Sequence, residues 1–363
     1  MFTYKHYVPV LKWKLGEYQA LDRLADSVKA FTVPLIEIPP RGFDFAKGEQ
    51  SKTVEKHLGE FGARLKAKWG ERRCIIDLDY MGEEKCNDRP CVEAVFADVR
   101  SKGCNAIPAI RLATSDVNVK AIADIVKEDR EGLCLRLIEL DFDRANLFGD
   151  IEALLGKTGL GYSEVDLVLD LGFQTYNSNT VATQNILILM NKLHPTLNRW
   201  RSIAVVASSF PASIAGLRQE EGKPQFASLA RGEWRTYRSL VRELGDARIP
   251  TFGDYAAANP ELVELDMRLI KPFAKLKYTY DDSWHIAVGK SVRAVGFEQY
   301  RGICKELMKQ SYFAGKGASD ADDFIIECAN GTGGTGNLST WVWVATNRHI
   351  TKVHSDLASL HGL

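Results

Sequence analysis

The chain has 363 residues, 45% of them hydrophobic and 26% charged, the composition of a globular protein long enough for one α/β barrel with an appendage or for two domains. Lys+Arg and Asp+Glu each count 47, so the global excess of base on which sequence-independent nucleic-acid binding runs is absent, although a local patch can hide in that average. The opening MFTYKHYVPVLKWK lacks the apolar core of a signal peptide and no run approaches the length of a membrane span, so the expectation is a cytoplasmic protein that makes no use of a membrane.

Tyr7–Lys12 (YVPVLK) reads as a first strand, and a helix is expected over Gly16–Ala30 from the spacing of Leu21, Leu24, Ala25 and Val28. Phe31–Ile38 is a second strand closed by Pro39-Pro40, with a helix over Lys52–Trp69. Arg73–Tyr80 (RCIIDLDY) is a third, ending on Asp77 and Asp79, and a helix runs from about Pro90 to Lys102. Asn105–Arg111 is a fourth, with Ser115 as N-cap of a helix over Asp116–Glu128. LCLRLIELD from Leu133 is a fifth, followed by a helix near Leu147–Leu155; Val165–Gly172 is a sixth, followed by Thr180–Leu193. Ser202–Ser209 is a seventh, followed by an irregular stretch through Pro211 and Pro224 and a helix over Gly232–Leu244. Ile249–Tyr255 is an eighth, with a helix over Glu261–Leu269.

Apolar, β-branched runs without polar alternation are what strands covered on both faces look like, and strict strand–helix alternation argues for parallel pairing. Eight such units in about 270 residues predict a (β/α)8 TIM-type barrel over residues 1–270 rather than an open doubly wound sheet. The remainder, residues 271–363, predicts a small α+β cap packed on the barrel. It holds a hairpin over Lys277–Lys290, helices over Phe297–Gln310 and Ala321–Cys328, the glycine-rich Asn330–Asn337, and Thr340–Ile350 with two tryptophans.

Barrel enzymes keep their chemistry at the C-terminal ends of the strands. The polar residues there are Lys12, Glu37, Asp77, Asp79, Arg111, Glu139, Asp141, Asp170, Ser208, Ser209 and Asp254, and strand alternation lets only about half of each adjacent pair face inward. Glu37, Asp79, Asp141 and Asp170 are the candidate catalytic residues, since clustered carboxylates can split their pKa values for acid and base work or hold a divalent cation through oxygen. Lys12, Arg111, Ser209, Asp254 and Tyr255 are candidate ligand contacts. The competing structural reading has the acids capping helices or pairing with Lys12 and Arg111 around the rim. Arg231 and Trp234, in FASLARGEWRTYRSL with Glu233, Arg235 and Arg238, offer a fork for phosphate and a stacking ring; the alternative is an amphipathic helix with Trp234 in the core.

Other motifs carry less. The seven cysteines are odd in number and show no CxxC pair; Cys86 and Cys91 lack a second pair or a nearby His, so free thiols in a reducing compartment are expected and no metal ligands are assigned. NGTGGTGN lacks the Lys-Ser of a P-loop, which makes a turned connector the expectation. His285, His349, His354 and His361 form no HExxH pattern, and no G-x-S-x-G elbow is present.

YVPVLKWKLGEYQALDRL, PLIEI, SSFP, RGEW, FGDYA, KYTYDDSWHI and the closing GTGGTGN…TWVWVATNRHI, in this order across nearly the whole chain, resemble the beta protein family of temperate and satellite phages. The resemblance implies a place in a prophage or satellite-phage locus where a beta protein sits beside a toxic gene and a small regulator and acts in anti-phage defence. It supplies no reaction and no catalytic residues. The family's closing Asn-His-His reads Asn347-Arg348-His349 here, which weakens a two-histidine role. Two functions follow as expectations. One is a component of a defence or toxin–antitoxin-like module that binds a protein partner from its locus, or a nucleotide-like or phosphorylated small molecule, at the barrel mouth. The other is a metal-assisted, phosphodiesterase-like hydrolase using Glu37, Asp79 and Asp141 with Arg111 on the phosphate.

Overall fold

The computed structural model describes residues 2–362 except 177, 194, 218–225, 246 and 263–268. The apolar runs form eight strands: β1 (Tyr7–Lys12), β2 (Leu35–Glu37), β3 (Cys74–Asp77), β4 (Ala106–Ile110), β5 (Leu133–Ile138), β6 (Val165–Phe173), β7 (Ser202–Ser208) and β8 (Thr251–Asp254). Each pairs in parallel with its neighbours and β8 returns to β1, which closes the barrel.

Alternation divides these strands into two faces. Val8, Val10, Leu35, Ile75, Ile107, Cys134, Val168, Ala204 and Val206 fill the barrel interior, where Phe2 joins them. Tyr7, Leu11, Ile36, Ile76, Leu135, Leu167, Val205 and Phe252 turn outward to the helices. Those helices are α1 (Leu15–Asp22), α2 (Phe61–Lys68), α3 (Cys91–Ser101), α4 (Asp116–Asp129), α5 (Leu147–Thr158), α6 (Asn179–Lys192) and α7 (Gly232–Leu244).

The local breaks have physical causes. The helix expected over Lys52–Trp69 is interrupted at Gly59-Glu60, where Glu60 takes a left-handed φ of 62°. The helix expected over Gly16–Ala30 divides into α1 and a turn over Asp26–Ala30. Two strands stop sooner than the sequence suggests, because the chain curls into 3-10 turns at Asp79–Met81 and Glu139–Asp143. The helix expected over Glu261–Leu269 falls mostly on 263–268, and Pro224 falls in 218–225, outside the described residues.

Beyond the barrel, β9 (Phe273–Tyr280) and β10 (Ser283–Ser291) form an antiparallel hairpin turned at Asp281-Asp282. A strand over Ala227–Ala230, from the β7–α7 connection, adds to the β10 edge. Against it pack α8 (Gln299–Met308), α9 (Asp320–Asn330) and the first half of α10 (Leu338–His361), around Leu276, Tyr278, Ile303, Leu307, Ile325 and Trp341. NGTGGTGN joins α9 to α10, and the Asn337 side chain caps α10 by accepting the Thr340 N–H. In the second half of α10, Ile350, Val353 and Leu357 belong to the main core. The helix as a whole lies along α1 and β1, with Val342 against Gly16 and Asn347 donating to the Ala20 carbonyl, and its end reaches α7 through Asp356–Arg231 (2.9 Å) and His361–Tyr237 (3.4 Å). It therefore occupies the place of a barrel's eighth helix, between α7 and α1.

Gly253 faces the barrel interior, where an added Cβ would fall 2.6 Å from Val206 Cγ2 and 2.7 Å from the Val8 carbonyl. Gly253→Ala is expected to cost about 1–3 kcal/mol in urea unfolding through overpacking. Gly156→Ala, on α5 with no atom within 4 Å of the new Cβ, is expected to be neutral or stabilising.

Candidate functional site

Carried upward past the apolar interior, the same alternation leaves a polar side chain at the last inward position of most strands: Lys12, Glu37, Asp77, Arg111, Arg136, Asp170 and Ser208, with Tyr255 just after β8. Arg136 is the centre of this ring and is only 2% exposed. Its guanidinium reaches Glu37 Oε1 at 2.9 Å, Asp77 Oδ2 at 2.6 Å and Asp170 Oδ2 at 2.6 and 2.8 Å. It also donates to the Tyr255 hydroxyl at 2.8 Å, and that hydroxyl donates to Asp170 at 2.6 Å. The planar fork of arginine lets one cation serve three carboxylates.

The carboxylates differ in their protonation. Burial raises the Glu37 carboxyl, and Arg136 offsets this only in part. Burial also raises Asp77, but Arg136, Arg111 and the Asp79 amide outweigh it and hold this carboxyl below the usual range. Arg111 bridges outward, from Asp77 (3.1 Å) to Asp79 (3.0 Å), which sits in the 3-10 turn with its carboxyl raised by burial. Asp77, Asp79, Arg111, Thr114 and Asn118 line a depression of about 240 Å³. Among the described residues no group of three His, Cys, Asp or Glu side chains is disposed to hold a metal ion.

The other expected site residues lie apart from this ring or at its edge. Asp141 turns back into its own 3-10 turn, accepting the Ile138 N–H at 3.0 Å and pairing with Arg144 at 3.0 Å. Lys12 donates to the carbonyls of Asn259 (3.2 Å) and Pro260 (2.9 Å), and burial lowers its pKa. Asp254 is an outward residue of its strand: it accepts from Tyr7 and from His349 Nε2 (2.8 Å). Ser209 donates to Glu233 at 2.5 Å and caps the start of α7. Arg231 is fully buried and pairs with Asp356 and the Asp281 carbonyl, while Trp234 packs edge-on against Phe252 in the core.

His349 is wholly buried on α10. Trp284 Nε1 can only donate, and it points at His349 Nδ1 from 3.2 Å, so that nitrogen accepts and the proton sits on Nε2, facing Asp254. Burial lowers the imidazole pKa, in keeping with a neutral ring. This chain of bonds ties the last helix to β1 and β8, and gives His349 a structural position.

Sequence reasoning passed over Arg136, although the signal was there. An arginine inside LCLRLIELD, a run buried on both faces, has to find anionic partners within the barrel. Removing it leaves Glu37 and Asp170 buried without their cation and Asp77 with Arg111 alone, so Arg136→Met is expected to cost roughly 3–5 kcal/mol in chemical unfolding at neutral pH. A loss under about 1 kcal/mol would contradict its role as hub.

Glu233 supplies a pH test. Burial and then Asp254 push its carboxyl up from 4.5 to about 7. A raised folded-state pKa means a contribution fully present below the unfolded value and lost as pH rises through the folded one. Relative to Glu233→Gln, the native chain is expected to lose up to about 3 kcal/mol of stability between pH 4 and pH 8, read from urea curves at both.

Comparison with known proteins finds similar chains. Protein beta of Enterobacteria phage P4 is 20% identical over 361 residues, which is 95% of this chain and 92% of that protein. Among solved structures, the tryptophan synthase A-subunit of Pyrococcus furiosus covers 70% of this chain and 89% of its own at 11% identity, with a TM-score of 0.39. Triosephosphate isomerase of Bartonella henselae covers 70% and 94% at 10% identity, with a TM-score of 0.37. The family described as Beta protein matches residues 7–355. With that match running from the first barrel strand into the last helix, the chain belongs to the Beta protein family.

Proposed function

We propose that this chain is a binding component of a phage-encoded anti-phage defence or toxin–antitoxin-like module, engaging a protein partner from its own locus or a nucleotide-like ligand at the barrel mouth. The observation that carries this reading is the Arg136 hub. Glu37, Asp77 and Asp170 converge on one point, and a guanidinium already stands at that point. A metal-assisted phosphodiesterase would need such carboxylates turned toward a divalent cation and a water. Here their charge is spent on Arg136 and Arg111, and Asp141 is spent on its own turn. The division of the chain at residue 270, with the C-terminal segment as a unit that shapes one side of the mouth, remains part of this proposal.

Two features suit a binding role. The rim beside β5 and β6 carries exposed apolar side chains, Leu140 at 75% and Phe173 at 38% exposure, with Val181 of α6 at 59%. Single exposed apolar residues are ordinary, but Val181 lines a depression of about 250 Å³, and Leu140 and Phe173 directly follow or precede its lining residues Glu139 and Gln174 in the chain, an arrangement that suits a protein contact. Arg111 offers a half-buried cation at the opposite depression. Among the described residues no helix is long and apolar enough to cross a membrane.

The test is a melting-temperature screen against Mg²⁺, Mn²⁺, nucleotides and phosphate esters, with capture of locus proteins by wild type and by Val181→Asp in parallel. A ligand present at a hundred times its dissociation constant adds about 2.7 kcal/mol to the native state, a shift of several degrees. Expected is a nucleotide or ester that stabilises without metal, or a locus protein whose capture Val181→Asp abolishes. Stabilisation by Mg²⁺ or Mn²⁺ that Asp79→Asn removes would overturn the binding reading in favour of the hydrolase.

A further inference from the structure

A third and larger cavity, of about 400 Å³, opens where the end of β1 and the residues after β8 meet the C-terminal segment. Its volume lies within the usual range for small-molecule sites, and its walls are mostly apolar. One wall is the first half of α10, where Trp341 is stacked flat on Tyr300 with centroids 4.0 Å apart and planes 4° off parallel. Val342, 40% exposed, stands at the lip. The close approach of α1 to α10 that fixes this wall requires Gly16, whose Cβ would fall 2.5 Å from Val342 Cγ1.

The charges facing this apolar space are unbalanced. Lys12, Lys271, Lys275 and Lys277 line it, against the single carboxylate of Glu17. Lys277 is half-buried; it donates to the Ala257 carbonyl at 2.6 Å and lies 4.4 Å from the centre of the Phe210 ring. Among the described residues, neither Lys12 nor Lys277 has a carboxylate within ion-pair distance. An ammonium has three donors. Among the described residues Lys12 directs two to carbonyls and Lys277 one, which leaves N–H groups on both to spare there. Burial, then Lys275, lowers Lys277 to about 8, and burial lowers Lys12 as well: both cations are under-compensated. An anion entering here would find donors in a dry setting, where charge-assisted bonds are strong.

We infer that this cavity binds a small organic anion, its phosphate or carboxylate head held by Lys12 and Lys277 and its flat apolar body laid along the Trp341–Val342 wall. The inference rests on reading the mouth as a binding site and gives the ligand class for its β1–β8 side. A cation site for a metal is a different matter, since four lysines would repel it.

Calorimetric titration of the full chain tests it, with AMP, 4-nitrophenyl phosphate, benzoate and inorganic phosphate as probes. The variants are Lys277→Met, Val342→Glu and Arg111→Ala. Lys277→Met keeps the aliphatic stem, and Val342→Glu puts a carboxylate at a lip position that is 40% exposed; melting curves of all three variants confirm folding. Expected is binding of at least one organic anion, weakened tenfold or more by Lys277→Met and by Val342→Glu. Binding retained in both cavity variants but lost in Arg111→Ala would overturn this site while keeping a ligand at the mouth. Inorganic phosphate binding as tightly as the organic probes would overturn the apolar half of the inference. No binding of any probe at 1 mM would overturn the site outright, and capture of a locus protein judges the mouth reading separately.

Discussion

Burying a guanidinium inside a β-barrel is tolerable only when anionic groups meet it in good geometry, and the upper half of this molecule is arranged around that constraint. Arg136 would carry a large desolvation cost alone, as would Glu37, Asp77 and Asp170. Together they form a compact set in which one fork touches three carboxylates and a tyrosine hydroxyl. The set joins β2, β3, β5, β6 and the turn after β8, so the register of these strands and the mouth's chemistry are one problem. Its consequence for function is a restriction. Carboxylates that neutralise a fixed cation are poor candidates for holding a mobile one, and the proposed ligand contacts lie at the flanks, at Arg111 on one side and Lys12 on the other.

A second buried network does for the outside of the barrel what Arg136 does for the inside. Tyr7, Asp254, His349 and Trp284 link β1, β8, α10 and the hairpin in a single line of hydrogen bonds. It fastens the last helix of the chain into the ring, next to the first helix. Chain ends meeting in this way make the C-terminal segment part of the barrel's closure, and they also build the cavity. The walls of that cavity come from β1, α1, the residues after β8, the hairpin and α10. An excess of lysine in such a place is costly to the free protein. That cost is the kind of local inconsistency that a bound anion relieves.

The eight strands were legible because strands buried on both faces leave uninterrupted apolar runs, and the helices because their apolar spacing is regular. Residue chemistry at the strand ends was legible as well: Glu37, Asp170, Arg111 and Tyr255 do converge at the mouth. What sequence could not supply was orientation. Asp77 and Asp79 are two apart and share a face in a continuous strand, yet the chain leaves the strand after Asp77, so only Asp77 joins Arg136. Asp141 was displaced by the same kind of turn, whose local hydrogen bonds captured its carboxylate.

The sequence by itself determined the alternation, the number of units and the polar character of the strand ends, because these depend on periodicity and on the chemistry of short windows. Only the tertiary structure decided that an arginine in the middle of β5 would be the centre of the mouth and that α10 would complete the helical ring. Only it brought lysines from β1 and β9, more than 260 residues apart, to face one apolar cavity. Those outcomes depend on which distant segments share a neighbourhood once the barrel closes, and no local pattern of residues carries that information.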